Sequence, residues 1–243
     1  VIHQQDVRPG LANRLVAPFA RAITATFPET ARMFRGRPVT VVGNPVRRAV
    51  LAARQRPPIS ARRSFGLDPA LPTVLVIGGG TGARALNELV WGSVSAFAER
   101  ANILHVTGAG KGREDEIPNS KFQIPNYRSF EFLTDELPSA YAAADLVISR
   151  AGMGAITELL ALGKPMVLIP MPGTHQVENA DAIRARGAAE VWNERELTNK
   201  TFAARTLAFL DDSGRRAALS RACTSVLPPD AAERIAEIVQ KMS

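Results

Sequence analysis

The sequence predicts an α/β fold: one doubly wound domain on a parallel sheet, preceded by a short remnant of a second domain. Three observations carry this expectation. From Thr73 to Trp192, apolar runs of strand length alternate with segments of helical length. The runs are apolar almost throughout, the pattern of strands covered on both faces by helices. Small-residue loops stand where strands give way to helices, the ligand edge of such sheets. The 243 residues are 46% hydrophobic and 22% charged. This is ordinary globular usage, which excludes collagen-like, disordered and disulfide-scaffold classes, and the length suffices to bury a core.

In chain order, Val1-Ile2-His3 reads as the end of a buried strand, as if the chain began inside a domain. Leu11, Leu15, Val16, Phe19 and Ile23 recur at helical spacing, predicting a helix over 11–27 that Pro18 kinks or divides. Pro38–Gly43 is a short strand closed by the turn signal Gly43-Asn44-Pro45. Val46–Arg56 reads as a short helix, and the Arg- and Pro-rich stretch 56–72 as a linker.

Thr73–Ile77 is a strand, followed by a glycine loop and a helix over 82–98. Asn102–Thr107 is a strand leading into a polar segment with Gly108, Gly110 and Gly112. Tyr127–Phe132 follows as a strand, Leu137–Ala143 as a short helix and Asp145–Ser149 as a strand. Ala155–Leu162 is a helix stopped by Gly163-Lys164-Pro165. Met166–Pro170 is a strand, Gln176–Arg186 a helix ended by Gly187, and Ala189–Trp192 a last strand. Helices over 196–210, 213–225 and 229–241 close the chain.

The net charge of +7 is unevenly spread. Residues 1–63 hold twelve arginines against Asp6 and Glu29 alone, a net +10, while residues 64–243 hold 18 basic and 21 acidic side chains, a net −3. Such asymmetry points to a polyanion or an anionic membrane surface, with a merely solvated face as the alternative. Aromatic residues at 6% argue against stacking on single-stranded nucleic acid, so no nucleic-acid partner is expected. The single cysteine, Cys223, cannot form an internal disulfide, which fits a reducing compartment. No apolar run approaches the roughly 18 residues of a membrane-spanning helix.

Three loops could carry chemistry. Gly78-Gly79-Gly80-Thr81-Gly82-Ala83-Arg84 joins a strand to a helix. Its glycines admit a ligand to the backbone, and the helix start offers free N–H groups to a phosphate. It meets only the looser dinucleotide fingerprint, since Ala83 takes the third glycine position, and it is no P-loop. A tight strand–helix turn is the alternative. Ser149–Glu158 repeats the arrangement, with Glu158 in the first turns of its helix. A carboxylate there suits the helix dipole and equally a ribose diol. Pro170–Asn179 brings His175, Gln176 and Asn179 to a helix start, the last two on one face. Metal chemistry finds no support, because His3, His105 and His175 are scattered without ligand spacing. Gly-x-Ser-x-Gly is absent, and Asp135-Glu136 reads as a cap at a helix start.

These stretches together resemble a known family. Gly43-Asn44-Pro45-Val46-Arg47, Gly78–Arg84, Ala144–Gly152 with Thr157-Glu158, Gly163-Lys164-Pro165, and His175-Gln176 with Asn179 occur in the order found in MurG-family glycosyltransferases. His3–Asp6, Pro9–Arg14 and Thr26–Thr30 continue the likeness towards the N-terminus, so it covers essentially the whole chain. The resemblance implies a GT-B fold of two Rossmann-like domains with a cleft between them. It implies inverting transfer of N-acetylglucosamine from UDP-GlcNAc to undecaprenyl-diphosphate-muramoylpentapeptide, without a cofactor or metal, by an enzyme peripheral to the cytoplasmic face of the cell membrane. Residues 1–44 would end the acceptor domain and 45–72 would link the two. The span 73–226 would bind the donor, and 227–243 would return towards the first domain.

Carried over by position, Arg47 would meet the nucleotide or diphosphate. Gly80, Thr81 and Gly82 would approach it through backbone, with Gly80 and Thr81 standing where the family usually has Ser and Gln. Thr134 would offer a backbone contact to uracil. Gly152, Met153, Gly154, Ala155, Ile156, Thr157 and Glu158 would wrap the nucleotide, with Glu158 on the ribose. Gln176 would hold the sugar, helped by His175 and Asn179. His3 and Asn13 would line the acceptor side. Gln4 and Asp6 exchange the carboxylate and amide of the family's His-Glu-Gln-Asn. The family's main base lies in an N-terminal region that this sequence does not match, leaving Asp6 or His3 as fallback catalytic groups. Two further readings stay open: a UDP-sugar-binding subunit served by a separate acceptor chain, and an isomerase of the UDP-GlcNAc 2-epimerase kind.

Overall fold

A computed structural model describes residues 1–34, 36–79, 83–112 and 126–242. They form two parallel sheets. The first contains β1 (Ile2–Gln4), β2 (Ile23–Ala25) and β3 (Val39–Val41), in that order across the sheet, with Ile2 opposite Ile23 and Ile23 opposite Val39. α1 (Leu11–Val16) with a 3-10 turn, Ala17–Phe19, crosses from β1 to β2, and α2 (Pro28–Ala31) leads from β2 towards β3. α3 (Arg48–Leu51), a second 3-10 turn (Ala52–Gln55) and α4 (Pro58–Ser64) bridge to the larger sheet.

That sheet contains β4 (Thr73–Ile77), β5 (Asn102–Val106), β6 (Tyr127–Phe130), β7 (Leu146–Ser149), β8 (Met166–Leu168) and β9 (Glu190–Val191). Its order is β6-β5-β4-β7-β8-β9, with every pairing parallel. α5 (Arg84–Trp91) and α6 (Val94–Phe97) follow β4, α7 (Leu137–Ala143) precedes β7, and α8 (Met153–Leu162) and α9 (Gln176–Ala185) follow β7 and β8. A 3-10 turn (Glu194–Glu196), α10 (Asn199–Asp211), α11 (Ser213–Cys223) and α12 (Ala231–Gln240) complete the chain. The strands' two-residue period divides the core into two layers. Leu75, Val147 and Leu168 pack with α7, α8 and α9 through Tyr141, Ile156 and Ile183. Val74, Ile148 and Val167 pack with α5 and α10 through Leu86, Phe202 and Phe209. Because β4, β5 and β6 run outward one way and β7, β8 and β9 the other, the chain reverses between β4 and β7. The carboxyl ends of those two strands therefore frame the crevice where such sheets bind ligands.

Three sequence expectations need correction. The stretch 11–27 is not one kinked helix. It stops at the 3-10 turn that carries Pro18, and Ile23–Ala25 becomes a fully buried strand between β1 and β3. Ile23 matched the helical spacing by coincidence, while its β-branched neighbours suit the sheet. The 56–72 linker contains α4, with Pro58 at a helix start where proline is welcome. The helix expected over 82–98 is divided at Gly92, the C-cap of α5, where a Cβ would lie 1.9 Å from the Asn199 amide nitrogen and only glycine fits. The C-terminal stretch packs back on the first sheet. Arg234 donates to the Val41 carbonyl at 3.2 Å, Arg21 donates to the Met242 carbonyl at 3.2 Å, and a Cβ on Gly43 (φ +82°) would strike Pro228 at 2.7 Å. Among the described residues no helix is long and apolar enough to cross a membrane.

Candidate functional site

At the crevice, β7 ends at Ser149 and the backbone is held on both sides. The Arg150 N–H donates to Ile77 at 3.3 Å, and the Ile169 N–H to Ser149 at 2.8 Å. Four residues later α8 begins. Its N-cap is Gly152, no side chain caps it, and its first internal bond runs from the Ile156 N–H to the Gly152 carbonyl. The N–H groups of Met153, Gly154 and Ala155 are thus left for an outside acceptor, in the positive field of the helix dipole. A Cβ on Gly152 or Gly154 would meet nothing within 4 Å, so the space before this turn is open. The side chains of Met153 and Ile156 are buried in the core. What this run can offer a ligand is the backbone of its first turn and the carboxylate of Glu158.

Glu158 is nearly buried and fully engaged. Its Oε1 accepts from Arg47 Nε and Nη2, both at 2.8 Å, and its Oε2 accepts from the Tyr141 hydroxyl at 2.9 Å. Arg47 stands at the start of α3 with its side chain 60% exposed, against 12% for Glu158. Only the arginine is therefore free to move cheaply. Burial, and then the Glu158 charge that the phenol donates to, push the Tyr141 hydroxyl well above its ordinary range. Beside this group, Thr134, Asp135 and Pro138 rim a cavity of 280 Å³ together with Arg47, Val50 and Arg56.

The first sheet reaches the same place. His3 Nδ1 lies 2.9 Å from Thr24 Oγ1 and its Nε2 lies 3.1 Å from Asn44 Oδ1. Asn44 in turn donates to Thr157 Oγ1 of α8 at 2.7 Å. Both imidazole nitrogens are thus engaged, and burial lowers the His3 pKa despite the opposing bond to Asn44. In this arrangement His3 braces the first sheet and reaches α8 only through Asn44. Asn13 donates to Gln4 Oε1 at 2.7 Å and to the His3 carbonyl at 3.4 Å, so its amide braces β1. Asn179 is fully buried, and its amide is spent on three groups. It accepts from the Val7 N–H at 3.0 Å and donates to Asp6 Oδ1 at 2.9 Å and the Ala151 carbonyl at 3.1 Å. Its amide clamps the segment after β1 to the one after β7.

His175 and Gln176 stay accessible. His175 Nε2 is 3.8 Å from Asp6 Oδ1, and Gln176 accepts from the Met171 N–H at 3.1 Å. Gly80, Thr81 and Gly82 lie outside the described residues. No group of three His, Cys, Asp or Glu among the described residues could hold a metal ion. Tyr141 is a contributor that the sequence did not single out, and Asn44, quoted there within a motif, was assigned no contact. The one available signal for Tyr141 was a lone phenol in an otherwise alanine-rich helix.

Uncapped helix amides, a largely exposed guanidinium and a hydrogen-bonded carboxylate thus meet at a topological switch point. Residues 73–240 match the family model described as the glycosyltransferase family 28 C-terminal domain. Two curated relatives carry the name UDP-N-acetylglucosamine--N-acetylmuramyl-(pentapeptide) pyrophosphoryl-undecaprenol N-acetylglucosamine transferase. The one from Nocardioides sp. is 36% identical over all of this chain, which covers 66% of that relative. The one from Clavibacter michiganensis subsp. michiganensis is 39% identical over 99% of this chain and 64% of its own length. The chain thus spans less than two thirds of the length of such relatives. Among solved structures, Acinetobacter baumannii MurG superposes with a TM-score of 0.74 at 23% identity, over 99% of this chain and 66% of that one.

Proposed function

The chain belongs to glycosyltransferase family 28, whose C-terminal domain it carries, and on that premise we propose that it is the donor-binding part of an N-acetylglucosaminyltransferase of peptidoglycan synthesis. The donor is UDP-GlcNAc and the acceptor a lipid-linked muramoyl-pentapeptide, the chemistry in the names of its relatives. The observation that supports this best is the Arg47–Glu158 pair beside the open first turn of α8. The first-turn amides and Arg47 suit a diphosphate, and Glu158 suits the ribose diol. Thr134 and its neighbours offer a cavity for the base, and Gln176 and His175 lie where a sugar would follow.

In the transfer, an acceptor hydroxyl attacks the anomeric carbon as the bond to the diphosphate oxygen breaks, inverting the centre. The departing electron pair comes to rest on the diphosphate, where the α8 amides and Arg47 stabilise it. Asp6, partly exposed and within reach of His175, is the candidate in this chain to take the acceptor's proton. Residues 1–44 would belong to the acceptor domain, 45–72 to the link, 73–226 to the donor domain and 227–243 to a returning helix. The separate sheet β1-β2-β3 and the contacts of α12 with it support that division.

Docking to the cytoplasmic face of an anionic membrane completes the reading. Leu11, Leu15 and Phe19 of the first crossover are 69%, 64% and 86% exposed. Arg8, Arg14, Arg32 and Arg37 line an adjoining open cavity of 810 Å³. An exposed apolar row beside clustered arginines suits insertion among anionic headgroups. Co-sedimentation with anionic vesicles that weakens with salt and with Phe19→Glu supports it, and equal binding to neutral vesicles counts against it.

Titration calorimetry with UDP-GlcNAc tests the donor assignment, and absence of heat at millimolar ligand defeats it. Incubation with UDP-GlcNAc alone separates the isomerase reading, since only an epimerase releases the 2-epimer without an acceptor.

A further inference from the structure

We propose that Tyr141 is a positioning residue for nucleotide recognition: its hydroxyl fixes one oxygen of Glu158, so that the other, which Arg47 holds here, passes to the ribose hydroxyls once a diphosphate draws Arg47 away. The proposal rests on the reading of Glu158 as the ribose contact. It adds the group that aims the carboxylate and the exchange that frees it.

The geometry divides the two oxygens unequally. Nε and Nη2 of Arg47 converge on Oε1, while Oε2 is left to Tyr141 alone. Arg47 is largely in solvent, so turning its guanidinium towards a phosphate costs little desolvation. Glu158 has no such freedom. A nearly buried carboxylate stripped of partners is costly. Tyr141, almost completely buried on α7, remains bonded to it throughout the exchange, and ribose hydroxyls take the place of Arg47 on Oε1. Burial and the Glu158 charge both oppose ionisation of the phenol. It is therefore a constant donor, and the carboxylate's orientation does not depend on whether nucleotide is present.

The test compares UDP with 2′-deoxy-UDP by calorimetry, in the unaltered chain and in Tyr141→Phe. A hydrogen bond from a ribose hydroxyl to a charged acceptor is worth about 1.5–3 kcal/mol, so the unaltered chain should prefer UDP by roughly tenfold or more. In Tyr141→Phe the preference should collapse to about threefold or less, with 2′-deoxy-UDP affinity almost unchanged. A purely structural tyrosine would weaken both ligands alike, and that result, or a preserved preference, overturns the proposal. If the unaltered chain itself shows no preference, the ribose reading of Glu158 fails first and the proposal with it.

Should Tyr141→Phe not fold, a second measurement decides. The chain has two tyrosines, Tyr127 and Tyr141, so protein labelled with 3-fluorotyrosine gives two fluorine signals, assigned with Tyr127→Phe. UDP should shift the Tyr141 signal clearly more than 2′-deoxy-UDP does. Equal shifts from the two ligands overturn the proposal.

Discussion

Glu158 and Lys164 show how differently two nearly buried charges on the same helix-and-turn unit can be used. Glu158 faces the crevice with one exchangeable partner and one fixed partner. Glu158→Gln keeps the shape but replaces an acceptor-only carboxylate with a group that is half donor. UDP affinity should fall about tenfold to a hundredfold by calorimetry, with little change in fold. Lys164 follows the helix and serves structure alone. Its ammonium donates to the Ala144 carbonyl at 2.8 Å, beyond the end of α7, where the helix dipole favours a cation. Burial lowers its pKa to about 8, with Asp145 opposing and Arg62 reinforcing the shift. Between pH 8 and the ordinary lysine value near 10.5, the unfolded chain therefore holds a proton that the folded one has released. Stability from this group is full above that window and is lost as pH falls through about 8. Urea unfolding should show the unaltered protein gaining stability relative to Lys164→Met as pH rises from 8 to 10. A constant difference would show that the shift is absent.

At the scale of the element, α8 carries the site because nothing fills the space before its first turn. Gly154 is the residue to test. A Cβ added there meets no protein atom within 4 Å, and its backbone sits in an ordinary helical turn. Gly154→Val should fold within about 1 kcal/mol of the unaltered chain and still lose most of its affinity for UDP, because the added methyls occupy the approach to the amides. Retained affinity would move the diphosphate elsewhere. Gly92 makes the contrast, since its missing Cβ is needed to let Asn199 approach. The sequence marks both glycines in the same way. The strands β4, β5, β7 and β8 were legible as near-continuous apolar runs, and α8 as a helix ended by Gly163 at φ +64°. β2 was hidden because three residues are too few to show a period, and Ile23 happened to extend the spacing of α1.

For the whole molecule, the decisive arrangement is the seam between the two sheets. Side-chain amides bridge it, Asn44 on Thr157 and Asn179 on Val7, Asp6 and Ala151, while Val7 and Phe27 join the apolar core of the larger sheet. Arg186 adds a bridge to Glu29 at 2.7 Å, and Arg8 one to Glu178 at 3.5 Å. Asn179→Ala strands a buried carbonyl and an N–H that the amide satisfied. It should destabilise the chain by about 2 kcal/mol or more in urea unfolding, and lower UDP affinity through Ala151, which leads into α8. An effect below 0.5 kcal/mol would mean that water replaces the amide at little cost. The site is thus assembled from segments that lie far apart in the chain, with Arg47 meeting Glu158 and Asp6 meeting His175.

By itself the sequence determined the doubly wound parallel sheet, the loops at its ligand edge and the family, because hydrophobic period and small residues at strand ends are local properties. It also singled out Arg47, Glu158, Gln176 and His175 as residues to examine. Tertiary structure alone decided what those polar groups touch. Asn179 and His3 had the composition of ligand-binding side chains, yet packing has Asn179 bridging the seam and His3 bonding Thr24 and Asn44 within the first unit. Tyr141 had the composition of a core residue, yet its hydroxyl meets the Glu158 carboxylate. A hydrogen bond depends on where two distant segments place their atoms to within a few tenths of an ångström. That is fixed only when both layers of the core have closed.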